Sequence, residues 1–347
     1  MIHFECDYTE GAHPRILERL MQTNEEQTAG YGEDAHCGQA AAYIRKCCGD
    51  DQAAVHFFAG GTQANLTVIS ALLRPYQGVI ASEEGHIGEH ETGAIEATGH
   101  KVLSLGSFDG KITAGQVGAL CREHHEDANH EHRVQPGMVY ISHPTECGTL
   151  YTKAELEDMR RVCTEWGLPL YLDGARLGYG LAAGGLTLQD IAALCDAFYI
   201  GGTKVGALYG EALVITNERY KKDFRYHIKQ RGAMLAKGRM LGIQFEVLFE
   251  DGLYFEISRH AVAMADRIRD ACRRKGYEFL YDTDANQVFP ILPEQAIREL
   301  REKYVFFLWA KTGEKGGAPH AAVRLCTSWA TKEEHVRQFT EDIAKTT

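Results

Sequence analysis

Lys204 is the residue whose type and position most strongly indicate chemistry. It follows an apolar run and a Gly-Gly-Thr turn in the segment Phe198-Tyr-Ile-Gly-Gly-Thr-Lys-Val-Gly-Ala207. A lysine held on a rigid, partly buried turn loses its proton more easily than an exposed one, because burial disfavours the charged amine. The free amine can then form a Schiff base. The structural alternative is a lysine at a sheet end whose head reaches water.

A second polar residue, Asp173, closes the apolar run Leu170-Tyr-Leu-Asp173. A buried carboxylate needs a cationic partner or hydrogen bonds. An ion pair with Arg176, three positions on, is one way to supply it. A protonated pyridine nitrogen is another, and this contact keeps the ring cationic so that it draws electrons from a substrate. An aspartate and a lysine at two strand ends are how pyridoxal phosphate (PLP) enzymes hold their cofactor, so this pair makes PLP a candidate that the rest of the chain must support.

Two further segments could complete such a site. Gly60-Gly-Thr-Gln-Ala-Asn65 follows an apolar run and opens a helical pattern, and free backbone N–H groups at a helix start bind phosphate. A plain turn with Thr62 as the N-cap is equally compatible with this segment. His86, in Ser82-Glu-Glu-Gly-His86, could stack on a flat cofactor and exchange protons near neutral pH, although a lone histidine is more often a surface or capping residue. Thr203 adds one more donor for a phosphate.

The elements that must position these residues alternate between apolar runs and amphipathic ones. The runs contain little internal alternation, which is typical of strands covered on both faces. We therefore expect an α/β fold with a mostly parallel central sheet and helices on both faces, whose ligands collect at the carboxyl ends of the strands. The predicted strands are Ala54–Phe58, Gly78–Ala81, Lys101–Leu105, Met138–Ser142, Pro169–Leu172, Ala197–Ile200 and Ala212–Ile215. The predicted helices are Gln63–Leu73, Gly88–Thr98, Thr113–His124 and Lys153–Trp166.

The last third of the chain has a different pattern. Two long helical segments precede three short strands and two more helices, which predicts a smaller C-terminal α+β domain. We expect an N-terminal segment over residues 1–15, a large cofactor-binding domain over 16–250 and the small domain over 251–347. The predicted helices are Gly238–Phe249, Tyr254–Lys275, Pro293–Lys303 and Lys332–Lys345, and the predicted strands are Asn286–Leu292, Val305–Trp309 and Ala322–Leu325.

The composition argues against several classes of partner. The chain has 347 residues, 44% of them hydrophobic, and a net charge of −11, which argues against nucleic acid or an anionic membrane. No apolar run approaches the roughly 18 residues of a membrane span, and Met1–Asp7 does not resemble a signal peptide. We therefore expect a cytoplasmic protein.

Cysteines and histidines give no metal signal. The ten cysteines contain no Cys-x-x-Cys, so in a reducing compartment they are expected as small buried hydrophobic residues. The histidine-rich stretch His124–His132 follows a helical pattern and precedes Gln-Pro-Gly, which favours a solvated loop over a metal site. No metal is expected.

Taken together, the motifs resemble those of a known family. Gly60-Gly-Thr-Gln-Ala-Asn65, His86, Asp173-Gly-Ala-Arg176 and Gly202-Thr-Lys204 occur in the order and approximate spacing of the low-specificity L-threonine aldolases. These enzymes, together with β-eliminating lyases, have the aspartate-aminotransferase-like PLP fold (fold type I). The resemblance runs from Asp7 through Tyr31-Gly-Glu-Asp34 to Arg324, which is nearly the whole chain.

The resemblance implies a role for individual residues. Lys204 would be the Schiff-base lysine, Asp173 the partner of the pyridine nitrogen and His86 the residue stacked on the ring. The remaining roles are phosphate binding by Gly61, Thr62 and Thr203, binding of the substrate carboxylate by Arg176 and Arg324, and a position near the active site for Tyr31 and for the N-terminal segment containing Asp7.

The sequence departs from the family pattern at three places. Cys6 stands where the family has a serine that touches the substrate carboxylate, and a thiol is a weak donor. Glu146 replaces a histidine near the substrate hydroxyl, and His143 is a nearby substitute. A family arginine that reaches the phosphate of a neighbouring subunit has no counterpart that we identify, and Lys237 or Lys229 would take its place.

The resemblance predicts a PLP-dependent carbon–carbon lyase that cleaves threonine, allo-threonine or a related β-hydroxy-α-amino acid to glycine and an aldehyde. We expect His86 to take the hydroxyl proton, with Glu146 or His143 as the alternatives. A small amino acid is the expected partner, and a homodimer or homotetramer with shared active sites is the expected assembly. Three alternatives share the cofactor residues: a β-eliminating lyase with Lys204 as its base, a transaminase or racemase, and a non-catalytic PLP-binding regulatory protein.

Overall fold

The computed structural model describes residues 1–315 and 317–346. The N-terminal part of the chain contains one short strand and two helices that precede the main sheet. The second helix, α2, begins after an Asp34 cap and ends at Gly49 in a left-handed conformation, the two ends that its sequence favours. These elements are β1 (Ile2–His3), α1 (Pro14–Gln22) and α2 (Ala35–Cys48).

A seven-stranded sheet forms the centre of the described chain, in the order β2-β8-β7-β6-β5-β3-β4. β8 is antiparallel to both of its neighbours, and the other pairs are parallel. The prediction of a mostly parallel sheet is confirmed. Its strands are β2 (Ala54–Phe58), β3 (Gln77–Ser82), β4 (Val102–Leu105), β5 (Gln135–Ser142), β6 (Leu170–Asp173), β7 (Ala197–Gly201) and β8 (Glu211–Ile215).

Side chains alternate between two hydrophobic clusters along each strand. In β6, Leu170 and Leu172 join the larger cluster, whereas Tyr171 joins the second one on the opposite face. Both faces are therefore covered, as the apolar strands indicated. The helices that follow the strands are α3 (Gly61–Leu72), α4 (His86–Glu89), α5 (Ala114–Glu126), α6 (Lys153–Trp166), α7 (Leu177–Ala183), α8 (Leu188–Leu194), α9 (Phe224–Gln230) and α10 (Arg239–Glu250).

The helix predicted over Gly88–Thr98 is wrong. α4 ends at Glu89, and the rest of that range holds a single 3-10 turn at Glu96–Thr98. The cause lies at Thr92 and Gly93, whose φ angles of 54° and 71° interrupt the right-handed helical backbone.

The C-terminal elements form a smaller antiparallel sheet covered by helices. β13 pairs with β10, β12 and β9, and β1 pairs with β11, so the N-terminal strand lies against this part of the chain. The elements are α11 (Leu253–Lys275), β9 (Gln287–Val288), β10 (Ile291–Pro293), α12 (Glu294–Arg301), β11 (Tyr304–Val305), β12 (Phe307–Lys315), β13 (Ala318–Cys326) and α13 (Glu333–Ile343).

The long helix α11 packs in two cores. Leu253 and Val262 belong to the large cluster beside the main sheet, whereas Met264 and Cys272 belong to the cluster of the C-terminal sheet. The domain division after residue 250 therefore stays a proposal. Among the helices of the described residues, none has the length and apolar character needed to cross a bilayer.

Candidate active site

The carboxyl edge of the main sheet collects the residues selected from the sequence. Asp173 ends β6, Lys204 follows β7, and the segment Gly60–Thr62 follows β2. His86 follows β3 and Glu146 follows β5. Parallel strands bring their carboxyl ends to one edge, so residues far apart in sequence share one site.

Close packing of the backbone fixes the turn that carries Lys204. A Cβ on Gly201 would lie 2.2 Å from the carbonyl oxygen of Ala175, so glycine is required there. The Tyr179 hydroxyl donates to the Lys204 carbonyl at 2.5 Å, and the Tyr254 hydroxyl donates to the Gly201 carbonyl at 3.0 Å. The lysine therefore extends from a rigid backbone.

The Lys204 amine loses its proton more easily than the amine of an exposed lysine. Burial lowers the pKa of Lys204, and the positive charge of Arg176 lowers it further, against the opposing charges of Asp7 and Asp173. No hydrogen bond or ion pair to Nζ forms within the described residues, and the ring of Tyr8 lies 6.0 Å away. A neutral lysine amine is a nucleophile.

Neutral donors surround the buried carboxylate of Asp173. Oδ1 accepts from Tyr199 at 2.5 Å and from the Ala175 amide at 3.0 Å. Oδ2 accepts from Tyr140 at 2.7 Å and from Asn65 at 3.0 Å. Within the described chain no cation lies within ion-pair distance of it, so the alternative of an ion pair with Arg176 is wrong. A buried anion without a cationic partner suits a cationic ligand.

Asn65 links Asp173 to the histidine side of the site. The Tyr171 hydroxyl donates to Asn65 Oδ1 at 2.9 Å, which fixes the amide so that Nδ2 also donates to Glu91 at 2.8 Å. Glu91 in turn lies 2.9 Å from Nδ1 of His86. This contact fixes the imidazole with Nδ1 toward Glu91 and Nε2 available to a ligand.

His86 keeps its proton to higher pH than an exposed histidine. Burial alone would lower the pKa of His86, but the Glu91 hydrogen bond and the charge of Asp173 outweigh it and raise the pKa. The side chain is still 37% exposed, so the ring can reach a ligand.

Glu146 lies next to His86. Its Oε1 accepts from the His86 amide at 3.0 Å and from Ser142 at 2.7 Å. Its Oε2 is buried without a partner in the described residues. Burial raises the pKa of Glu146, and the negative charge of Asp173 raises it further. An unpartnered carboxyl oxygen beside a histidine is suited to binding or moving a proton.

His143, the proposed substitute, lies in the core instead. It is 0% exposed, and the Tyr151 amide donates to its Nδ1 at 3.3 Å. The other side of the ring packs close to Gly180 of α7. Burial lowers the pKa of His143 to about 4, so it is neutral, and its buried Nε2 has no hydrogen-bond partner among the described residues.

The predicted phosphate site has the expected backbone. Gly60 caps α3 without any side-chain hydrogen bond to the first-turn amides. A Cβ on Gly61 would lie 2.9 Å from the Tyr199 hydroxyl, so only glycine lets the turn approach the residues around Asp173. The Thr62 side chain is exposed at this helix start. Thr203 lies across the sheet edge, where its hydroxyl contacts Glu211 at 2.9 Å.

Arg176 is held by Asp7 from the N-terminal segment. Nε donates at 2.7 Å and Nη2 at 3.0 Å, and Asn286 donates to the same carboxylate at 3.0 Å. The charge of Asp7 outweighs burial and raises the pKa of Arg176. Arg176 therefore remains a cation, with Nη1 left for a ligand.

Arg324 lies between two aromatic rings. Its guanidinium is 4.8 Å from the Phe307 centroid and 5.4 Å from the Trp309 centroid, and Nη2 donates to the Glu5 carbonyl. Nε is buried without a partner in the described residues. Cys6 follows Glu5, and burial raises the pKa of its thiol, so Cys6 is present as a neutral thiol.

Tyr31, Lys229 and Lys237 are exposed, and within the described residues they form no hydrogen bond or ion pair with Lys204, Asp173 or Arg176. Lys229 Nζ is 4.8 Å from the Tyr31 ring, and Lys237 is exposed. Arg231, in the same segment, contacts the helix that follows the predicted phosphate segment, because Gln63 of α3 donates to its carbonyl at 3.2 Å. Its buried Nε lacks a partner among the described residues.

Several residues that contact the predicted site residues were not identified from the sequence. The tyrosines of β5, β6 and β7 lie on the face that carries Asp173, and a buried tyrosine hydroxyl needs a partner. That rule, combined with strand periodicity, is a signal that could have found them. The missed residues are Asn65, Glu91, Tyr140, Tyr171, Tyr199 and Glu211.

The residues present fit PLP. A free lysine amine, an anion without a cation, and an uncapped glycine helix start lie at one sheet edge. These are the groups that a cofactor with an aldehyde, a basic ring nitrogen and a phosphate requires.

Known proteins share this sequence and fold. The model of the beta-eliminating lyase family matches residues 5–333. A low specificity L-threonine aldolase from Pseudomonas sp. (strain NCIMB 10558) is 32% identical over 346 residues, covering 98% of this chain and 96% of that protein. The solved structure of a threonine aldolase from Leishmania major is 46% identical with a TM-score of 0.94, covering 99% of this chain and 98% of that one. An aspartate aminotransferase from Thermus thermophilus, 16% identical with a TM-score of 0.69 over 99% of this chain and 91% of its own, shares the fold.

These matches confirm the predicted aspartate-aminotransferase-like fold, the PLP-dependent lyase class of aldolase type, and PLP as the cofactor. The roles of individual residues stay predictions. Because the family model covers residues 5–333 of the 347, this chain belongs to the beta-eliminating lyase family.

Proposed function

We propose that this enzyme cleaves the Cα–Cβ bond of a small β-hydroxy-α-amino acid, with L-threonine and L-allo-threonine as the first candidates, to give glycine and an aldehyde. The observation that carries the proposal is the pair His86 and Glu146, with a buried, unpartnered carboxyl oxygen. Aldol cleavage needs a group other than Lys204 to take the β-hydroxyl proton, and this pair supplies one.

Asp173, Lys204 and the helix start at Gly61 and Thr62 would hold the cofactor, with Thr203 as an additional phosphate donor. When bound, PLP supplies a cationic ring that accepts the electron pair of the broken bond. Asp173 would keep that ring protonated, since the four neutral donors around its carboxylate stabilise its negative charge.

Two arginines would hold the substrate carboxylate. Arg176 offers the edge that Asp7 leaves open, and Arg324 offers its unpartnered Nε. Guanidinium groups bind carboxylates in a fixed geometry, so the pair would orient the Cα–Cβ bond. Cys6, one residue from Asp7, would contact the same carboxylate.

His86 would take the hydroxyl proton through Nε2, because Glu91 occupies Nδ1. Glu146 would position His86 through the backbone amide and bind the substrate hydroxyl with Oε2. A base with a raised pKa acts only after deprotonation, so kcat/KM should rise with pH through the pKa of His86.

The assembly and the location are also proposals. Tyr31 and Lys229 are in contact and, like Lys237, are exposed, and a homodimer or homotetramer would bring these residues to the active site of a second subunit. The ten cysteines are unpaired, which accords with a reducing cytoplasm.

Product analysis tests the reaction. The PLP-loaded enzyme is incubated separately with L-threonine, L-allo-threonine and phenylserine, and glycine, aldehyde, 2-oxo acid and ammonia are quantified. We expect glycine and aldehyde in equal amounts, with Lys204→Ala as the inactive control. Release of a 2-oxo acid and ammonia without glycine would instead establish β-elimination.

A further inference from the structure

Glu211 is a buried carboxyl group that the proposed reaction does not use. It begins β8, which runs opposite to its neighbours, so it reaches the same sheet edge as Lys204. Its register partners are Phe58, before the phosphate segment, and Gly201, before the lysine turn. The side chain is 5% exposed, so an acid group lies between the two segments that would hold the cofactor.

The hydrogen bonds of Thr203 depend on whether Glu211 carries a proton. Thr203 Oγ1 accepts from the Gly210 amide at 2.9 Å and lies 2.9 Å from Glu211 Oε1. Glu211 Oε2 accepts from the Gly202 amide at 3.0 Å in either state. If Glu211 is ionised, the single hydroxyl hydrogen of Thr203 must point at it.

We propose that Glu211 is protonated in the cofactor-bound enzyme and donates that proton to Thr203 Oγ1, which turns the Thr203 hydroxyl hydrogen toward the phosphate. The inference rests on the phosphate position in our proposed function. A hydroxyl oxygen has two acceptor sites. Gly210 and protonated Glu211 fill both, so the hydroxyl hydrogen is free for a third partner.

Burial raises the pKa of Glu211 to about 8, because the hydrogen bonds from Thr203 and Gly202 and the charge of Lys204 offset only part of the burial. A phosphate dianion nearby would favour the protonated form further. The titratable groups that act on Glu211 from the neighbouring elements are Lys204, Asp173, Tyr171, Tyr199 and Tyr254.

The sign of the pH dependence follows from linkage. A ligand that binds the protonated form better takes up a proton on binding. Affinity for the phosphate group should therefore be greatest below the pKa of free Glu211 and fall as pH rises through it. Well above that pKa the fall approaches about tenfold per pH unit for one proton.

Pyridoxamine 5′-phosphate and pyridoxamine are the probes, because neither has an aldehyde to react with Lys204. The ratio of their dissociation constants for the apoenzyme is measured by calorimetry from pH 7 to 10. Both carry the same ring, so ring titration cancels in the ratio, and a phosphate monoester is already a dianion above its second pKa of about 6.

In the wild-type enzyme the advantage of the phosphorylated ligand should shrink with rising pH, with one proton taken up near pH 9. Glu211→Gln should have the hydrogen bonds of protonated Glu211 at every pH, since its amide donates to Thr203 and its carbonyl accepts from Gly202. That variant should keep a constant advantage across the range. Thr203→Val should weaken the phosphorylated ligand severalfold at low pH and leave pyridoxamine unchanged.

If the ratio of dissociation constants depended on pH in Glu211→Gln as it does in the wild-type enzyme, the role of Glu211 would be overturned. The absence of proton uptake in the wild-type enzyme would overturn it as well. The wild-type calorimetry decides the matter if the variant does not fold. Equal affinity for both ligands at every pH would refute the phosphate site itself, and the proposal for Glu211 with it. That result can be told apart from a failure of the Glu211 proposal alone, because it does not depend on which residue occupies position 211.

Discussion

Replacing Asp7 by asparagine should destabilise the apoenzyme far more than removing an exposed ion pair. The Asp7 carboxylate is 0% exposed and accepts from Arg176 at 2.7 and 3.0 Å and from Asn286 at 3.0 Å. Asparagine keeps one oxygen acceptor but turns an NH₂ group toward one of these donors. Arg176, 12% exposed, then lacks its counter-charge, and breaking a buried pair in this way costs about 3–5 kcal/mol.

The assay is urea unfolding of the apoenzyme near neutral pH, followed by circular dichroism. The matched control is Glu250→Gln, which removes a partner of Arg19 where both side chains are 27% exposed; it should cost at most about 1 kcal/mol. Adding Arg176→Met to Asp7→Asn should recover part of the loss, because no unpaired charge remains. A loss for Asp7→Asn no greater than that of Glu250→Gln would refute the reasoning.

The ion pair between Asp7 and Arg176 also makes the stability of the apoenzyme depend on pH. Burial alone would raise the pKa of Asp7, but the charges of Arg176 and Lys204 lower it below its ordinary value. A lowered pKa gives stability that is full above the unfolded-state value of about 3.9 and is lost as pH falls through the folded-state pKa. The wild-type apoenzyme should therefore lose more unfolding free energy below about pH 4 than Asp7→Asn does.

Three further variants test other parts of the site. Lys204→Ala should abolish the visible absorbance that PLP gives when attached to a lysine. Tyr199→Phe removes one of the four donors to Asp173, so the apoenzyme should lose about 1.5–3 kcal/mol of unfolding free energy, the range for a hydrogen bond to a charged group. Glu91→Gln removes the negative charge that helps to raise the pKa of His86, so the acidic limb of kcat/KM against pH should move to lower pH.

Each variant has its own control. An unchanged spectrum for Lys204→Ala would show that another residue binds the cofactor. Tyr277→Phe loses a hydroxyl whose hydrogen-bond partner among the described residues is the neutral Thr346, and an equal loss in Tyr199→Phe would contradict a charged partner. Glu89→Gln, an exposed position on α4 with His86, should leave the pH profile in place. A profile unmoved in Glu91→Gln would argue against His86 as the base.

The sheet was predictable because its signal is local. β2 and α6 have the predicted bounds, and every other predicted strand of the main sheet was found within a few residues. Runs buried on both faces show their apolar character regardless of what they pack against. The helix predicted over Gly88–Thr98 was wrong because the composition of this region suits a helix, whereas Thr92 and Gly93 have left-handed backbone conformations that end it.

The acceptors and donors around the cofactor site were less predictable. Lys204 and Asp173 stand out as single polar residues in apolar surroundings. Glu211 also follows a glycine and precedes an apolar strand, but nothing local indicates that its strand runs antiparallel and begins at the active edge. Direction within the sheet is a property of the whole fold.

The two ends of the site are therefore formed by different parts of the chain. The cofactor end, around Lys204 and Asp173, is built from neighbouring strands of one sheet. The carboxylate end joins Arg176 to Asp7 and Arg324 to the Glu5 carbonyl, across 169 and 319 positions. If Arg176 and Arg324 bind the substrate as we propose, substrate binding would require the C-terminal part to be folded, because the N-terminal segment also pairs with β11. Loosening that contact should raise KM for the amino acid before it weakens PLP binding.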